Sequence, residues 1–384
     1  METVLLFVSI LDVGFWIASG ILLCMKRDAI ANLKDIFEEL PGALPKISII
    51  IPARNEASHI RRALQSVLAI EYPNLEIVAV NDRSTDGTGT ILHEVARQNS
   101  RLRIEQIETL PLGWIGKTHA LQKGAQKATG EFLLFTDADI MYHPRALRKA
   151  MSYVGQKQLD HLTVIPEDTM PGIFLRVLSA TFGFFMFLMF QPWNARNPRS
   201  GRYLGIGAFN LVRTSVYRAI GGHAEIRLRP DDDLKLGKVI KRRGYRQDVL
   251  NGSGMVSVKW YHSVPELIDG LMKNMFAGME YRVSLVILGT IATLLIHLWP
   301  WVGVWMMSGI PRALLGITVL TMIGSFAYAM APFGVKPWQG FLLPVTISFF
   351  LYIQWKATLL TLWKGGISWR GTHYSLDELK ANKV

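Results

Sequence analysis

The stretch Glu131-Phe-Leu-Leu-Phe-Thr-Asp137-Ala-Asp139-Ile140 decides the fold class. A short apolar run leads straight into two carboxylates separated by one alanine. A continuous apolar run of this kind predicts a strand buried on both faces. In open α/β sheets, ligands gather beyond the carboxyl ends of such strands. Residues i and i+2 of an extended segment point the same way, so Asp137 and Asp139 can converge on one hard cation, Mg2+ or Mn2+. Taken alone, the pair reads equally well as two acids polarising the turn before His143-Pro144. The surrounding chain has to decide.

Upstream, short strands alternate with helices. Ile47-Ser-Ile-Ile-Ile51 predicts a strand stopped by Pro52, and Glu76-Ile-Val-Ala-Val80 a second buried strand. Helices are expected over 59–69, 88–98 and 116–128, the last beginning with Lys117, and a further strand over 102–107. Between them, Asn81-Asp-Arg-Ser-Thr-Asp-Gly-Thr88 is a polar, turn-rich loop. This alternation predicts an α/β fold with right-handed crossovers and a mostly parallel sheet. Downstream lie two Gly-rich segments, Tyr203 to Phe209 and Gly221-Gly222-His223. Pro230-Asp231-Asp232-Asp233-Leu234 then opens a helix that runs through Lys241-Arg242-Arg243 to Gly244. Acids at the start and bases at the end suit the helix dipole, which is a bland explanation for the triple Asp.

The ends of the chain are of another character. Half of the 384 residues are hydrophobic, yet 19% are charged, and the two kinds separate into apolar ends and a polar middle. Residues 4–24 are apolar but for Asp12 and a few small residues; about 20 residues at ~1.5 Å rise cross a ~30 Å hydrocarbon core. Glu2 precedes the run and Lys26-Arg27 follow it, which predicts a retained anchor with the next domain in the cytoplasm. Three more apolar segments, about 283–307, 313–332 and 340–362, close the chain, with tryptophans near their ends. Three crossings would leave the basic tail outside, against the charge rule. Residues 173–190 are very apolar but broken by Arg176. A crossing there would part the acidic clusters, so an interfacial helix or a core helix is expected instead. The expected organisation is an anchor (1–27), a linker (28–45), a catalytic domain (46–282), transmembrane segments (283–364) and a tail (365–384). The single Cys24 excludes an intrachain disulfide or a Cys-rich metal site. The net charge of +12 is accounted for by bases beside the spans facing an anionic leaflet, so no nucleic-acid partner is implied.

Asp82, Asp137/Asp139 and Asp232/Asp233 therefore form three acidic stations in one sheet domain. Together they suit a site that holds a metal, a polyanion and a nucleophile. A sugar nucleotide fits, because a divalent ion held by Asp139 would neutralise its diphosphate leaving group. Lys117 adds positive charge for phosphate, and Asp233 or Asp232, free of the metal, can act as general base.

These residues carry a resemblance. Ile49-Ile-Ile-Pro-Ala-Arg-Asn-Glu56, Val80-Asn-Asp-Arg-Ser-Thr-Asp-Gly-Thr88, Gly116-Lys-Thr-His-Ala-Leu-Gln-Lys-Gly124, Thr136-Asp-Ala-Asp139 and Gly207-Ala-Phe-Asn-Leu-Val-Arg213 with Gly221-Gly222 resemble the motifs of family 2 glycosyltransferases, which have the GT-A fold. The matches cover about residues 46–280. Counting back from Leu236 and Gly244, the family's Glu-Asp pair falls on Asp232 and Asp233, with Asp in place of Glu. The resemblance implies that Ala53 and Glu56 lie near the nucleotide base, Asp82 at the uracil or ribose, and Asp137 at the nucleotide. It implies further that Asp139 ligates Mg2+ or Mn2+ and that Asp233 is the base of an inverting displacement. The Gln-x-x-Arg-Trp motif of many membrane members is missing, Gly270-Leu-Met-Lys-Asn274 standing in its region, which argues against a processive synthase. Lys273 to Gly278 and Ile367 to Tyr374 are similar to segments of hopanoid-associated and carotenoid glycosyltransferases. The implied activity is transfer of a single sugar from a nucleotide-sugar donor, a UDP-sugar, to a lipid acceptor by a multi-pass cell-membrane protein. The alternatives are a polyprenyl-phosphate glycosyltransferase and a non-catalytic nucleotide-sugar-binding scaffold.

Overall fold

The apolar runs become the strands of a seven-stranded sheet. The computed structural model describes residues 2–39 and 44–382, so Leu40-Pro-Gly-Ala43 of the expected linker lies outside the described residues. The strands are β1 (Ile47–Ala53), β2 (Leu75–Asp82), β3 (Leu102–Ile107), β4 (Phe132–Phe135), β5 (Met141–Tyr142), β6 (His161–Ile165), β7 (Glu167–Asp168), β8 (Asn210–Arg213), β9 (Gln247–Asn251) and β10 (Val256–Val258). The main sheet runs in the order β3-β2-β1-β4-β8-β6-β9, and β5-β10-β7 form a small second sheet. β1 is parallel to β2 and β4, β2 to β3, and β6 to β9, whereas β8 is antiparallel to both its neighbours. The sheet is thus mixed and mostly parallel.

Both faces of the sheet are covered, as continuous apolar strands require. Ile47, Ile49 and Ile51 enter one core cluster, with Leu64, Val67 and Leu92 from helices Ile60–Leu68 and Thr88–Gln98. Ile50, Leu133 and Phe135 enter the opposite cluster with Leu121 of helix Gly116–Lys127. That helix lies close: a Cβ on Gly124 would stand 2.5 Å from a methyl of Ile50. Pro52 was expected to stop β1, yet the strand continues to Ala53 and Pro52 stays in register with Val80. The reason is local. Ile50 O accepts from Thr136 N–H, so Pro52, two residues on, turns its nitrogen to the same side, where β4 has already ended.

At the amino-terminal end of the sheet, buried Glu76 lies opposite Ser48. It accepts hydrogen bonds from Ser48 Oγ and Thr129 N–H, and pairs with Arg103 (2.7 Å) and Lys46 (3.1 Å). Burial alone would raise its pKa, but these bonds outweigh it and hold the carboxyl at about 2, against an ordinary 4.5. A depressed folded-state pKa adds stability above the unfolded value, and that stability is lost as pH falls through the folded one. The wild type is expected to lose up to about 3 kcal/mol from this group between pH 4.5 and 2. Glu76→Gln should be less stable at pH 7 and should flatten that part of the curve. Parallel urea titrations of the two proteins across this range check it.

The chain divides into two units. One holds the seven-stranded sheet and the small second sheet, over residues 30–169, 190–260 and 378–384; the other is mainly helical, over residues 1–29, 170–189 and 261–377. Segments 170–189 and 261–282, expected inside the catalytic domain, thus cluster with the apolar helices. Among the described residues, five helical segments are long and apolar enough to cross a bilayer: Leu5–Lys26, Ile173–Asn194, Val283–Met306, Gly309–Phe333 and Pro337–Trp363. The second was expected to be interfacial or in the core of the sheet domain. It belongs to the helical unit and not to the core of the sheets: Phe184 stacks on Trp16 and meets Phe326 edge-on, and the hydroxyls of Thr181 and Thr346 lie 2.9 Å apart. The strands flanking it, β6 and β8, pair in one sheet, so the chain leaves the sheet unit here and returns to it. Phe7, Leu11, Ile21, Leu288, Leu320 and Leu359 stay exposed on the helical unit, an apolar surface suited to lipid. Within the same unit, hairpin Gly366–Trp369/Thr372–Ser375 presents Trp369 to Lys273, whose Nζ stands 4.0 Å from the ring centroid.

Candidate active site

Parallel β1, β2 and β4 end at one edge of the sheet, and antiparallel β8 begins there. That geometry gathers three loops and the segment before Asn210. The loop after β1 and the loop after β2 are laced together. Glu56 N–H donates to Thr88 Oγ1 (2.8 Å), Thr85 N–H to Asn55 Oδ1 (2.8 Å) and Ala57 N–H to Asp86 Oδ2 (3.1 Å). Asn55 and Arg83 hold φ of 55° and 54° at the two turns.

Asp82, at the end of β2, is buried and already paired. Arg83 donates to both its oxygens, at 2.7 and 3.1 Å, and Arg54 Nη1 lies 3.6 Å from Oδ2. A Cβ on Gly116 would stand 2.4 Å from Asp82 Oδ2, so only glycine lets helix Gly116–Lys127 begin against this carboxylate. Neither arginine was singled out in the sequence, although each directly follows a motif residue that was. Ala53 closes β1 and is buried beneath the loops.

Lys117 joins the distant acids. Its Nζ is 2.7 Å from Asp137 Oδ1 and 3.5 Å from Asp232 Oδ1. Asp137 N–H donates to Gly207 O (3.0 Å), and Gly207 N–H donates to Asp233 Oδ2 (2.7 Å). A Cβ on Gly207 would lie 2.5 Å from Asp137 Oδ2 and 3.4 Å from Asp233 Oδ2, so the glycine lets two carboxylates close around one backbone unit. Asp233 Oδ1 accepts from Leu234 N–H (2.7 Å) at the start of helix Asp232–Arg242, which ends before Gly244 at φ 81°. Asp231 is occupied elsewhere: buried Arg229 donates to both its oxygens at 2.9 and 3.1 Å, and Lys235 lies 3.7 Å away. That leaves Asp232 and Asp233 facing the site.

Lys117, Asp137, Gly207, Asn210, His223, Asp232 and Asp233 line one small cavity. Of the expected residues it therefore brings together Lys117, Asp137, Asp232 and Asp233. Asp139 and Glu56 lie on the loops after β4 and β1, and Ala53 and Asp82 are the last residues of β1 and β2; none of the four is among the cavity's lining residues. Burial would lower the Lys117 pKa, but Asp137, Asp232 and Asp233 outweigh it and keep the ammonium charged. Burial raises Asp233, and Asp137 adds to the rise while Lys117 opposes it. Asp139 is pushed up to about 7, first by burial and then by the negative charges of Asp137 and Glu56. His223 and Asn210 were not expected at the site. The signal for His223 was its Gly-Gly neighbour: Gly221 and Gly222 take φ of 86° and 63°, and the His223 Nδ1 lies 2.7 Å from Tyr217 Oη. Burial and then Lys117 depress this imidazole to about 3, so it is neutral near pH 7.

A hard divalent ion fits this donor set. Among the described residues no group of three or more His, Cys, Asp or Glu forms a closed cage. Asp139 is a half-buried carboxyl crowded by the like charges of Asp137 and Glu56. One or two carboxylates, completed by phosphate oxygens and water, is how Mg2+ is commonly held.

Residues 48–221 match the profile of the Glycosyl transferase family 2. A 4,4'-diaponeurosporenoate glycosyltransferase of Staphylococcus haemolyticus (strain JCSC1435) is 26% identical over 235 residues, which cover 60% of this chain and 61% of that protein. One from Staphylococcus aureus (strain MRSA252) is 25% identical over 235 residues, with the same coverage. The match thus spans about three fifths of these relatives' own length. Among solved structures, a mannosyltransferase from Pyrobaculum calidifontis in complex with GDP-Man and Mn2+ aligns over 94% of this chain and 99% of its own. It does so with a TM-score of 0.53 at 16% identity, a likeness of fold.

Proposed function

We propose that this chain, which carries a family 2 glycosyl transferase domain over residues 48–221, moves one sugar from a nucleoside-diphosphate donor to a lipid acceptor at a membrane, with inversion at the anomeric carbon. The observation that carries the reading is the convergence of Lys117, Asp137, Asp232 and Asp233 on one cavity at the carboxyl ends of the strands. Such a cavity has a cation for the diphosphate and a carboxylate for the nucleophile.

In this reading the laced loops after β1 and β2 receive the nucleoside of a UDP-sugar, with Ala53 and Glu56 near the base and Asp82 at the uracil or ribose. The arginines beside Asp82 hold its carboxylate in place. Asp137 positions the nucleotide, and Lys117 places a fixed positive charge where the diphosphate arrives. Mg2+ or Mn2+ held by Asp139 and the diphosphate would act as a Lewis acid on the leaving group. Asp233, anchored by Gly207 and Leu234 N–H, accepts the proton of the attacking hydroxyl. As the new C1–O bond forms, the bond from C1 to the phosphate oxygen breaks and the nucleoside diphosphate departs with its electron pair. Burial makes Asp233 a stronger base than an exposed aspartate. Asp232, in reach of Lys117, keeps that ammonium aimed between the acids.

The exposed apolar helices and the carotenoid-type relatives support a lipid acceptor. Lys26-Arg27 after the first apolar helix supports a cytoplasmic sheet unit. Asn382 hydrogen-bonds to Glu225 and Leu228, within the sheet unit. That contact supports a topology in which the three apolar segments between residues 283 and 363 do not all cross completely.

The test is to incubate the full-length chain, in detergent, with labelled UDP-sugars, Mn2+ and total lipid extract, and to analyse the lipids by mass spectrometry. A lipid heavier by one sugar, with the anomeric configuration inverted, is expected. A labelled polyprenyl phosphate would replace the acceptor class. Tight UDP binding without turnover of any donor would overturn the reading in favour of a scaffold.

A further inference from the structure

The acids at the site follow a loop that is held by hydrogen bonds from two other parts of the chain. Between the short 3-10 helix Gly222–Ile226 and helix Asp232–Arg242, the chain passes through Arg227, Leu228, Arg229, Pro230 and Asp231. Ile226 O accepts from Arg229 N–H (2.9 Å). Arg227 O accepts from Ile115 N–H (2.9 Å) and Thr118 Oγ1 (2.7 Å), which ties the loop to the first turn of the Lys117 helix. Two further groups are met from far along the chain. Leu228 N–H donates to Asn382 Oδ1 (3.0 Å), and Asn382 Nδ2 donates to Glu225 O (3.0 Å). One side-chain amide thus serves a donor and an acceptor three residues apart, as a neighbouring strand would. Leu228 is buried, so water is a poor substitute for that acceptor.

We propose that Asn382 is a positioning residue for Asp232 and Asp233: by clamping the loop 225–228 it keeps the start of their helix in register with Lys117. The clamp touches neither donor nor acceptor and works through the loop alone. Its consequence for turnover rests on the transferase reading above; its consequence for the loop does not. The segment bearing the clamp follows the last apolar helix, so the geometry of the acids is tied to a residue outside the 48–221 domain.

The experiment compares full-length wild type, Asn382→Ala and Asn382→Asp. Two measurements are taken: steady-state kinetics, and hydrogen exchange of peptides spanning 225–233. Asn382→Ala is expected to lower kcat about tenfold, because a displaced catalytic group loses effective molarity while the donor subsite is untouched. The donor KM should stay within about twofold, and Tm should fall by no more than a few degrees, because one hydrogen bond is a small part of the stability of a chain of this size. Exchange at Leu228 should rise about tenfold, reporting the opened loop. Asn382→Asp keeps the acceptor for Leu228 N–H but sets a carboxylate against Glu225 O, so it should fall between the two. Unchanged exchange and unchanged kcat in Asn382→Ala would overturn the proposal. So would a loss of kcat matched by a rise in donor KM and a large fall in Tm, the pattern of a general structural role. A wild type that turns over no donor, with faster exchange at Leu228 in the variant, would uphold the clamp and overturn the transferase reading.

Discussion

Replacing Asp139 with alanine should lower sugar transfer by about 10³-fold or more, with protein yield and Tm close to wild type. Lewis-acid stabilisation of a leaving diphosphate is worth several kcal/mol, and ~4 kcal/mol corresponds to about 10³ in rate. Structure favours a large effect and a small structural cost. Asp139 is a half-buried carboxyl pressed by Asp137 and Glu56, so in the bare protein its charge is a burden rather than a support. Removing it relieves repulsion in the folded state. Chelation with EDTA should bring the wild type down to a similar rate and leave Asp139→Ala unchanged. The measurement is transfer rate against Mn2+ concentration for both proteins. A variant that retains more than a tenth of wild-type activity, or still responds to Mn2+ with wild-type affinity, would move the metal away from Asp139.

Asp233→Asn is the second large effect. Asparagine matches aspartate in shape and can still accept from Gly207 N–H through its amide oxygen, but its NH2 group cannot replace the acceptor of Leu234 N–H, so one of the two backbone bonds is lost. It also loses basicity. General-base catalysis contributes about 10²–10⁴-fold, and transfer to a hydroxyl acceptor should fall by that much. Binding of UDP, measured by calorimetry, should change by less than about threefold, because in the proposed reading the acid serves the attacking hydroxyl while Lys117 and Asp137 serve the nucleotide. The same variant separates two acceptor classes. A phosphate acceptor arrives ionised and needs little help from a base, so near wild-type transfer by Asp233→Asn would point to a polyprenyl phosphate. Loss of UDP binding together with rate would show instead that the residue supports the donor subsite.

Local pattern made a good part of the sheet unit legible. β1, β2 and β4 were mostly apolar runs ending in a polar cluster, and a strand with two buried faces needs little else to be seen. The exception, Pro52, is informative. A proline stops a strand only where its missing N–H was required, and whether it was required depended on where the neighbouring β4 ended. The surroundings of helix Ile173–Phe190 were open for a related reason. Its composition is the same whether it lies against a sheet, a membrane surface or other apolar helices, and only packing against Trp16 and Phe326 distinguishes them.

By itself, then, the sequence determined the α/β alternation, the four apolar segments outside it and the positions of the carboxylates at strand ends. All of these depend on residues within a few positions of one another. Tertiary structure alone decided which acids face each other. β8 enters antiparallel beside β4, and this brings Gly207 between Asp137 and Asp233. Arg229 withdraws Asp231 from the site, Lys117 bridges Asp137 to Asp232, and Asn382 holds the loop from the far end of the chain. Such pairings join residues dozens to hundreds of positions apart. Their energies depend on distance in space and on burial, and no spacing along the chain encodes either one.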